Sequence, residues 1–401
     1  MKILMVSSYL PYPLYSGGHI RLYNILKKLS EKHDVTLICE KRPHQTEENI
    51  KKVEKICKKL ITVPRKKQWT LSNILLSGAS PNSFLVTGHT LAPMRENIED
   101  LLTKEKFDLI HAETFYIAQN IPRNSVSLVI AEHNIEYLVY GRFAQKAPFY
   151  LKPFLYADIF KLKKNEERVW EKADFVIAVS RGDKTIIDKF NEKVYIVPNG
   201  VDLTKFKIQS SELRINNKKE RIILFMGDFK WVQNRDALKF ILEKIWPPLN
   251  LKFKISNLKL KLWVVGKNIP DNFKDTRSDL VFDENAPDDT SLIFQKSDIL
   301  LAPIRVGGGT SYKILEAMAS GVPVITTSLG AEGLGAENNK ELLIAENKDD
   351  FIAGIQELIS NESFYKKISE NGRKLIENKY DWKIIVKKLE QVYKLAVDSY
   401  Y

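Results

Sequence analysis

The 401-residue sequence holds only two cysteines, Cys39 and Cys57, and neither sits in a CxxC or Cys/His spacing. That excludes a disulfide framework and a zinc-finger site, and fits a chain that works in a reducing cytosol. No run of about 18 apolar residues occurs, so no membrane-spanning helix is expected. The apolar opening Ile3-Leu4-Met5-Val6 is too short for a signal-peptide core and is followed at once by Ser7-Ser8-Tyr9-Leu10-Pro11; it reads as a first strand. Internal repeats and low-complexity tracts are also absent. Acidic residues are outnumbered, with 62 Lys and Arg against 50 Asp and Glu, a net charge of +12. That balance calls for an anionic partner such as a phosphate-bearing ligand, a membrane surface or nucleic acid, unless it is simply Lys-rich usage. No recognised nucleic-acid-binding module accompanies the charge, which sets nucleic acid aside.

What is present is globular: 44% hydrophobic and 28% charged residues, over a length that suits two domains better than one core. Strand-like runs alternate with helical patterns from the start, through Ile3–Val6, Val35–Ile38, Leu109–His111, Val126–Ile130, Phe175–Val179 and Val194–Val197. A second series begins at Ile222–Met226 and continues through Leu260–Val265, Leu280–Phe282, Ile299–Leu301 and Val322–Thr326. Repeated βαβ units imply parallel sheets, so the expected fold class is α/β with two Rossmann-like domains facing each other across a cleft. The expected domains are 1–200 and 201–380, with a linker in the polar stretch Gln209 to Glu220. Residues 381–401, apolar at Ile384, Ile385, Leu389, Val392, Tyr393 and Ala396, form an amphipathic helix expected to return to the first domain.

The most informative stretch is Arg305-Val306-Gly307-Gly308-Gly309-Thr310-Ser311-Tyr312-Lys313-Ile314-Leu315-Glu316-Ala317-Met318-Ala319-Ser320-Gly321-Val322-Pro323. It follows a strand, opens a helix on a triple glycine and closes it at a glycine before the next strand. Free N–H groups and the positive dipole end at such a helix start attract phosphate, and glycines let it approach the backbone. Lys313 and Glu316 share a helix face. Glu316 lies about 9 Å along the axis from Thr310, the scale of the span from a pyrophosphate to its ribose. Taken alone, the same residues also fit an ordinary i,i+3 ion pair behind a glycine turn.

The pattern Gly-Gly-Gly-Thr-x-x-Lys-x-x-Glu-Ala-Met-Ala-x-Gly-x-Pro-Val resembles the donor-site helix of retaining family 4 glycosyltransferases, whose fold is GT-B. The resemblance extends to Ser16-Gly17-Gly18, Phe107-Asp108-Leu109-Ile110-His111, His133-Asn134-Ile135-Glu136, Glu171 to Ser180 and Val197-Pro198-Asn199-Gly200-Val201-Asp202. It implies a nucleotide-sugar donor held by the C-terminal domain, a saccharide or lipid-linked acceptor on the N-terminal side, and transfer with retention, without a metal or other cofactor. It further implies that Glu316 holds the ribose and that Gly307, Gly308, Gly309 and Thr310 cradle the pyrophosphate. Gly17 and Gly18 would approach the donor, and His133 would meet the transferred sugar near the reacting carbon. A lone histidine also fits a satisfied core imidazole; His-Asn-x-Glu at a strand end favours the site.

Two departures are plain. Gly308 stands where the family carries a second glutamate, and after Gly227 the usual Arg and Lys-Gly clamp is replaced by Asp228-Phe229-Lys230-Trp231-Val232-Gln233-Asn234. A departing diphosphate still needs cations, so Arg305 and Lys313 are the candidates, with Lys230 in reserve. No acidic pair is a convincing metal site: Asp288-Asp289 fits a helix N-cap as easily. Lys51 to Lys67 before Trp69–Leu76, and Phe149–Tyr156 before Lys161, Lys163 and Lys164, suit either an anionic membrane surface or a solvated helix face beside core. The function expected is transfer of a hexose-type sugar in cell-surface polysaccharide or glycolipid synthesis, in the cytoplasm with peripheral membrane contact. The rival is a catalytically silent partner that binds nucleotide sugar without transfer.

Overall fold

The structure is a computed structural model and describes residues 1–14, 16–65, 67–123, 126–145, 147–206, 220–254, 258–287, 289–306 and 311–399. Most of the linker expected at Gln209 to Glu220 lies outside them, as does the glycine loop Gly307 to Thr310. The chain forms two compact units, Met1–Pro198 with Ile385–Tyr401, and Asn199–Ile384.

The first unit is built on seven parallel strands: β1 Lys2–Ser7, β2 Asp34–Lys41, β3 Lys59–Pro64, β4 Leu109–Glu113, β5 Ser127–Ala131, β6 Phe175–Ala178 and β7 Val194–Ile196. Their spatial order is β3-β2-β1-β4-β5-β6-β7. The chain winds outward from β1 in one direction, then returns to β4 and winds in the other. The crevice beyond the carboxyl ends of β1 and β4 is therefore the switch point, where a doubly wound sheet receives its ligand. Leu4 and Val6 of β1, with Ile110 and Ala112 of β4, enter a core shared with Phe115, Leu162 and Trp170. The final helix Trp382–Asp398 buries Ile385, Leu389, Tyr393 and Ala396, and Tyr393 reaches His111 of β4.

The second unit repeats the plan with β8 Glu220–Met226, β9 Lys259–Val265, β10 Leu280–Asp283, β11 Ile299–Ala302, β12 Val324–Thr326 and β13 Leu343–Ile344, in the order β10-β9-β8-β11-β12-β13. Successive residues of a strand point to opposite faces, and here both faces are buried under helices. Ile223 and Phe225 of β8 with Ile299 and Leu301 of β11 fill one face. Leu224, Leu300 and Ala302 fill the other, against Ile314, Leu315 and Met318 of the helix Tyr312–Ala319. That packing sets the helix over the switch point between β8 and β11. Asp289 caps the helix Thr290–Lys296, accepting the Ser291 N–H, as a helix N-cap should.

Candidate active site

At the switch point of the first unit, β4 ends in His111-Ala112-Glu113, two polar side chains on one face of the strand. Glu113 is wholly buried and is held from both sides: His111 Nε2 lies 3.0 Å from Oε1, and His133, just beyond β5, bonds Oε2. Tyr393 Oη sits 2.8 Å from the other nitrogen of His111. Burial works against the Glu113 charge, but the nearby His133 and the hydrogen bonds from both imidazoles outweigh it and hold the carboxyl well below the usual carboxylate range. An ionised Glu113 accepts only, so both histidines donate through Nε2. Tyr393 then donates to His111 Nδ1, and His133 is left with Nδ1 turned toward the helix Gly17–Leu29.

There the second glycine has a steric reason. A Cβ on Gly18 would lie 2.9 Å from Tyr9 Oη and 3.3 Å from His133 Nδ1. Gly17 opens the same helix, behind Ser16, whose hydroxyl is spent on His19 at 2.8 Å. Burial, with Arg42, His133 and His44 nearby, lowers the His19 pKa to about 4, so it is neutral beside His133. The structure thus brings Gly17, Gly18 and His133 together.

His133-Asn134-Ile135-Glu136 leads into the helix Glu136–Gln145, whose first two N–H groups are taken by the Glu166 carboxylate at 2.8 and 3.1 Å. Glu132 is wholly buried against Trp170 Nε1 at 2.8 Å. Burial raises the carboxyls of Glu132, Glu136 and Glu166, with mutual repulsion adding to it at Glu132 and Glu166. A raised carboxyl holds its proton in the fold after the unfolded chain has lost it, so the stability it contributes falls as pH climbs above the ordinary carboxylate range. Thermal stability should therefore decline between pH 5 and pH 8, by roughly 1 kcal/mol or more each for Glu132 and Glu136, and Glu132→Gln should flatten that decline in a melting series.

In the second unit Gly227 follows β8, and a Cβ there would come within 2.6 Å of Asn234 Nδ2. Asn234 fixes the turn through the Asp228 carbonyl at 2.8 Å and accepts from Lys313 Nζ at 3.0 Å. Lys313 also donates to the Met226 carbonyl at 2.7 Å, and burial lowers its pKa to about 8. The ammonium is thereby set at the carboxyl end of β8, one turn of helix from Glu316. Glu316 is 8% exposed. Burial lifts its pKa to about 7, with Asp289 adding and with Lys205 and the Thr290 hydroxyl opposing.

The other two cations are placed differently. Arg305 forms a two-point pair with Asp236, at 3.0 and 3.1 Å, and stacks 4.2 Å over the Phe240 ring. Lys230 is exposed and pairs with Asp228 at 3.0 Å. Gly307, Gly308, Gly309 and Thr310 fall outside the described residues. Among the described residues no three His, Cys, Asp or Glu side chains gather as a metal would require, and no helix is long and apolar enough to cross a membrane.

The sequence reading missed Glu113 and Tyr393 in the first unit, and Asp236, Lys205 and Thr290 in the second. The period of two in His111-Ala112-Glu113 was a usable signal for Glu113; the others are brought in by distant segments. A cavity of about 560 Å³ lined by Arg123, Arg168 and Lys172 lies at the amino ends of β5 and β6, and none of the candidate residues lines it.

Residues 15–205 match the glycosyltransferase family 4 model, and residues 220–361 match the model of glycosyl transferases group 1. An uncharacterized 44.6 kDa protein in the cps region of Klebsiella pneumoniae is 25% identical, across 95% of this chain and 97% of its own. A UDP-Gal:alpha-D-GlcNAc-diphosphoundecaprenol alpha-1,3-galactosyltransferase of Escherichia coli is 23% identical over 74% of this chain and 77% of its own. The solved sucrose-phosphate synthase of Thermosynechococcus elongatus superposes with a TM-score of 0.70 at 15% identity, covering 100% of both chains. The chain is a glycosyltransferase of the GT-B fold, its first half matching family 4 and its second half group 1.

Proposed function

We propose that the chain moves a hexose from a nucleoside diphosphate sugar to a saccharide or lipid-linked acceptor, with retention and without a metal, in cell-surface polysaccharide or glycolipid synthesis. The observation that carries this reading is the helix Tyr312–Ala319, which sets a lysine and a buried carboxylate one turn apart at the switch point of the second sheet. Glu316 accepts the ribose hydroxyls, and Lys313 and the helix start take the diphosphate. The acceptor oxygen bonds the anomeric carbon as its bond to the diphosphate oxygen breaks, and the acceptor's proton leaves with that oxygen. Lys313 offsets the departing charge; Arg305, neutralised by its two-point pair with Asp236, would contribute only on leaving that pair. His133, oriented through Nε2 by Glu113, offers Nδ1 to a hydroxyl of the sugar or acceptor. The relatives in a cps region and acting on a diphosphoundecaprenol acceptor support the cell-surface and lipid-linked parts, and with them a peripheral contact with an anionic membrane.

Both titrations bear on activity. Glu316 must be ionised to accept two hydrogen bonds and Lys313 must be protonated to meet the diphosphate, so kcat/KM should rise through pH 7 and fall above pH 8. Glu316→Gln should abolish the acid limb and leave the alkaline one; an unchanged acid limb would assign it elsewhere.

A thermal-shift screen of UDP, GDP, ADP and TDP with EDTA present tests donor binding. A nucleotide at 100 times its dissociation constant should add about 2.7 kcal/mol of stability. No shift with any of them, with or without added metal, would contradict the proposal. The pairing of Arg305 with Asp236 leaves room for the silent-partner reading, and nucleotide binding without turnover would favour it.

A further inference from the structure

We propose that the first unit docks on an anionic lipid bilayer through the helix Leu71–Ala79 and the segment from Val139 to Phe160. This deepens the membrane-contact part of the proposed function by naming its surface. Twenty large apolar side chains are exposed among the described residues; five lie at positions 69 to 76 and eight at 139 to 160, with Trp69, Phe149 and Phe154 each at least three-quarters exposed. The helix Leu71–Ala79 buries Ser77 alone, and the helix Lys152–Lys172 buries no residue before Leu162. Both helices therefore carry aromatic and aliphatic side chains that the unit itself does not cover, which a water-facing surface rarely tolerates on this scale.

The two segments are tied together. Lys161 Nζ donates to the carbonyls of Ser77 and Ser80 at 2.6 and 2.9 Å. Asp158 accepts the Phe84 N–H at 2.8 Å, and Trp69 packs on the Phe84 ring with centroids 4.6 Å apart. Charge then selects the partner. Among the described residues, positions 65–79 carry two basic and no acidic side chains, and positions 137–164 carry five basic and one acidic, Asp158, already spent on Phe84 and Ser77. Lys163 and Lys164 share the single carboxylate of Glu167. Lysine is depleted from protein interfaces, and two copies of so basic a face repel each other. Tryptophan, tyrosine and lysine around apolar side chains suit the headgroup zone of an anionic leaflet.

The test is sedimentation of the full chain with phosphatidylcholine vesicles, with and without phosphatidylglycerol, together with UDP binding in the same samples. The wild type should partition at least about tenfold more strongly onto the anionic vesicles, and less so at high salt. The variant combining Trp69→Ala, Phe149→Ala and Phe154→Ala should lose at least about tenfold, and so should Lys67→Glu with Lys152→Glu, each with unchanged melting temperature and UDP affinity. Equal partitioning onto neutral vesicles, or full retention by both variants, would overturn the proposal. So would self-association of the wild type without vesicles that the variants abolish, which would make the face a protein interface. Failure of nucleotide binding, with UDP as with the other nucleotides of the thermal-shift screen, would strike the donor assignment and leave this surface standing.

Discussion

Glu316→Ala should weaken binding of the donor nucleotide by at least about 100-fold in calorimetry while leaving the protein folded. The carboxylate is to accept two hydroxyl hydrogen bonds, and bonds to a charged group in a buried site are worth about 1.5–3 kcal/mol each. Losing both removes about 3–6 kcal/mol, or roughly two to four orders of magnitude in affinity. The free protein should tolerate the change, because burial already disfavours this carboxylate and lifts its pKa to about 7. An unchanged or slightly raised melting temperature with binding lost is thus the expected pair of results. Glu316→Gln keeps the shape and one acceptor oxygen and should fall between wild type and Ala. Equal affinity in all three would remove Glu316 from the donor site.

Glu113→Gln should lower kcat by roughly 100-fold with the nucleotide dissociation constant unchanged. The buried carboxylate accepts from two imidazoles, and an amide presents one acceptor and one donor to the same pair. His133 then loses the partner that fixes its ring orientation and the placement of its Nδ1. An unchanged melting temperature separates this from unfolding, because Glu316 and Lys313 lie in the other unit and nucleotide binding there does not report on the fold around Glu113. Tyr393→Phe removes the hydroxyl on His111 and should act in the same direction by a smaller factor. A Glu113→Gln enzyme with wild-type kcat would make the His111-Glu113-His133 chain a matter of packing alone.

The sheets were readable because their strands are short apolar runs between helical patterns, and a run buried on both faces shows itself without any partner. Ile222 to Met226 and Ile299 to Leu301 are of this kind. The helix with Lys313 and Glu316 was readable for another reason, since its spacing is local. What the sequence could not convey depends on distant segments. Nothing near Arg305 announces Asp236, which arrives from the helix Val232–Phe240 and engages the guanidinium. Tyr393, counted as an apolar position of the last helix, spends its hydroxyl on His111. The Asp228 to Asn234 stretch lacks the usual Arg and Lys-Gly clamp, and the sequence does not announce that its Asn234 holds Lys313 at the carboxyl end of β8. The aromatic cluster at Phe149 to Tyr156 has a composition that fits core or surface, and only burial distinguishes them.

The most direct test of the account follows transfer by proton NMR, with EDTA present, the nucleotide sugar selected by the thermal-shift screen and a panel of saccharide and lipid-linked acceptors. The account predicts that nucleoside diphosphate and glycosylated acceptor appear together in equal amounts and that the new linkage has the donor's anomeric configuration. Tight nucleotide binding with no turnover on any acceptor, or a product of inverted configuration, would contradict it.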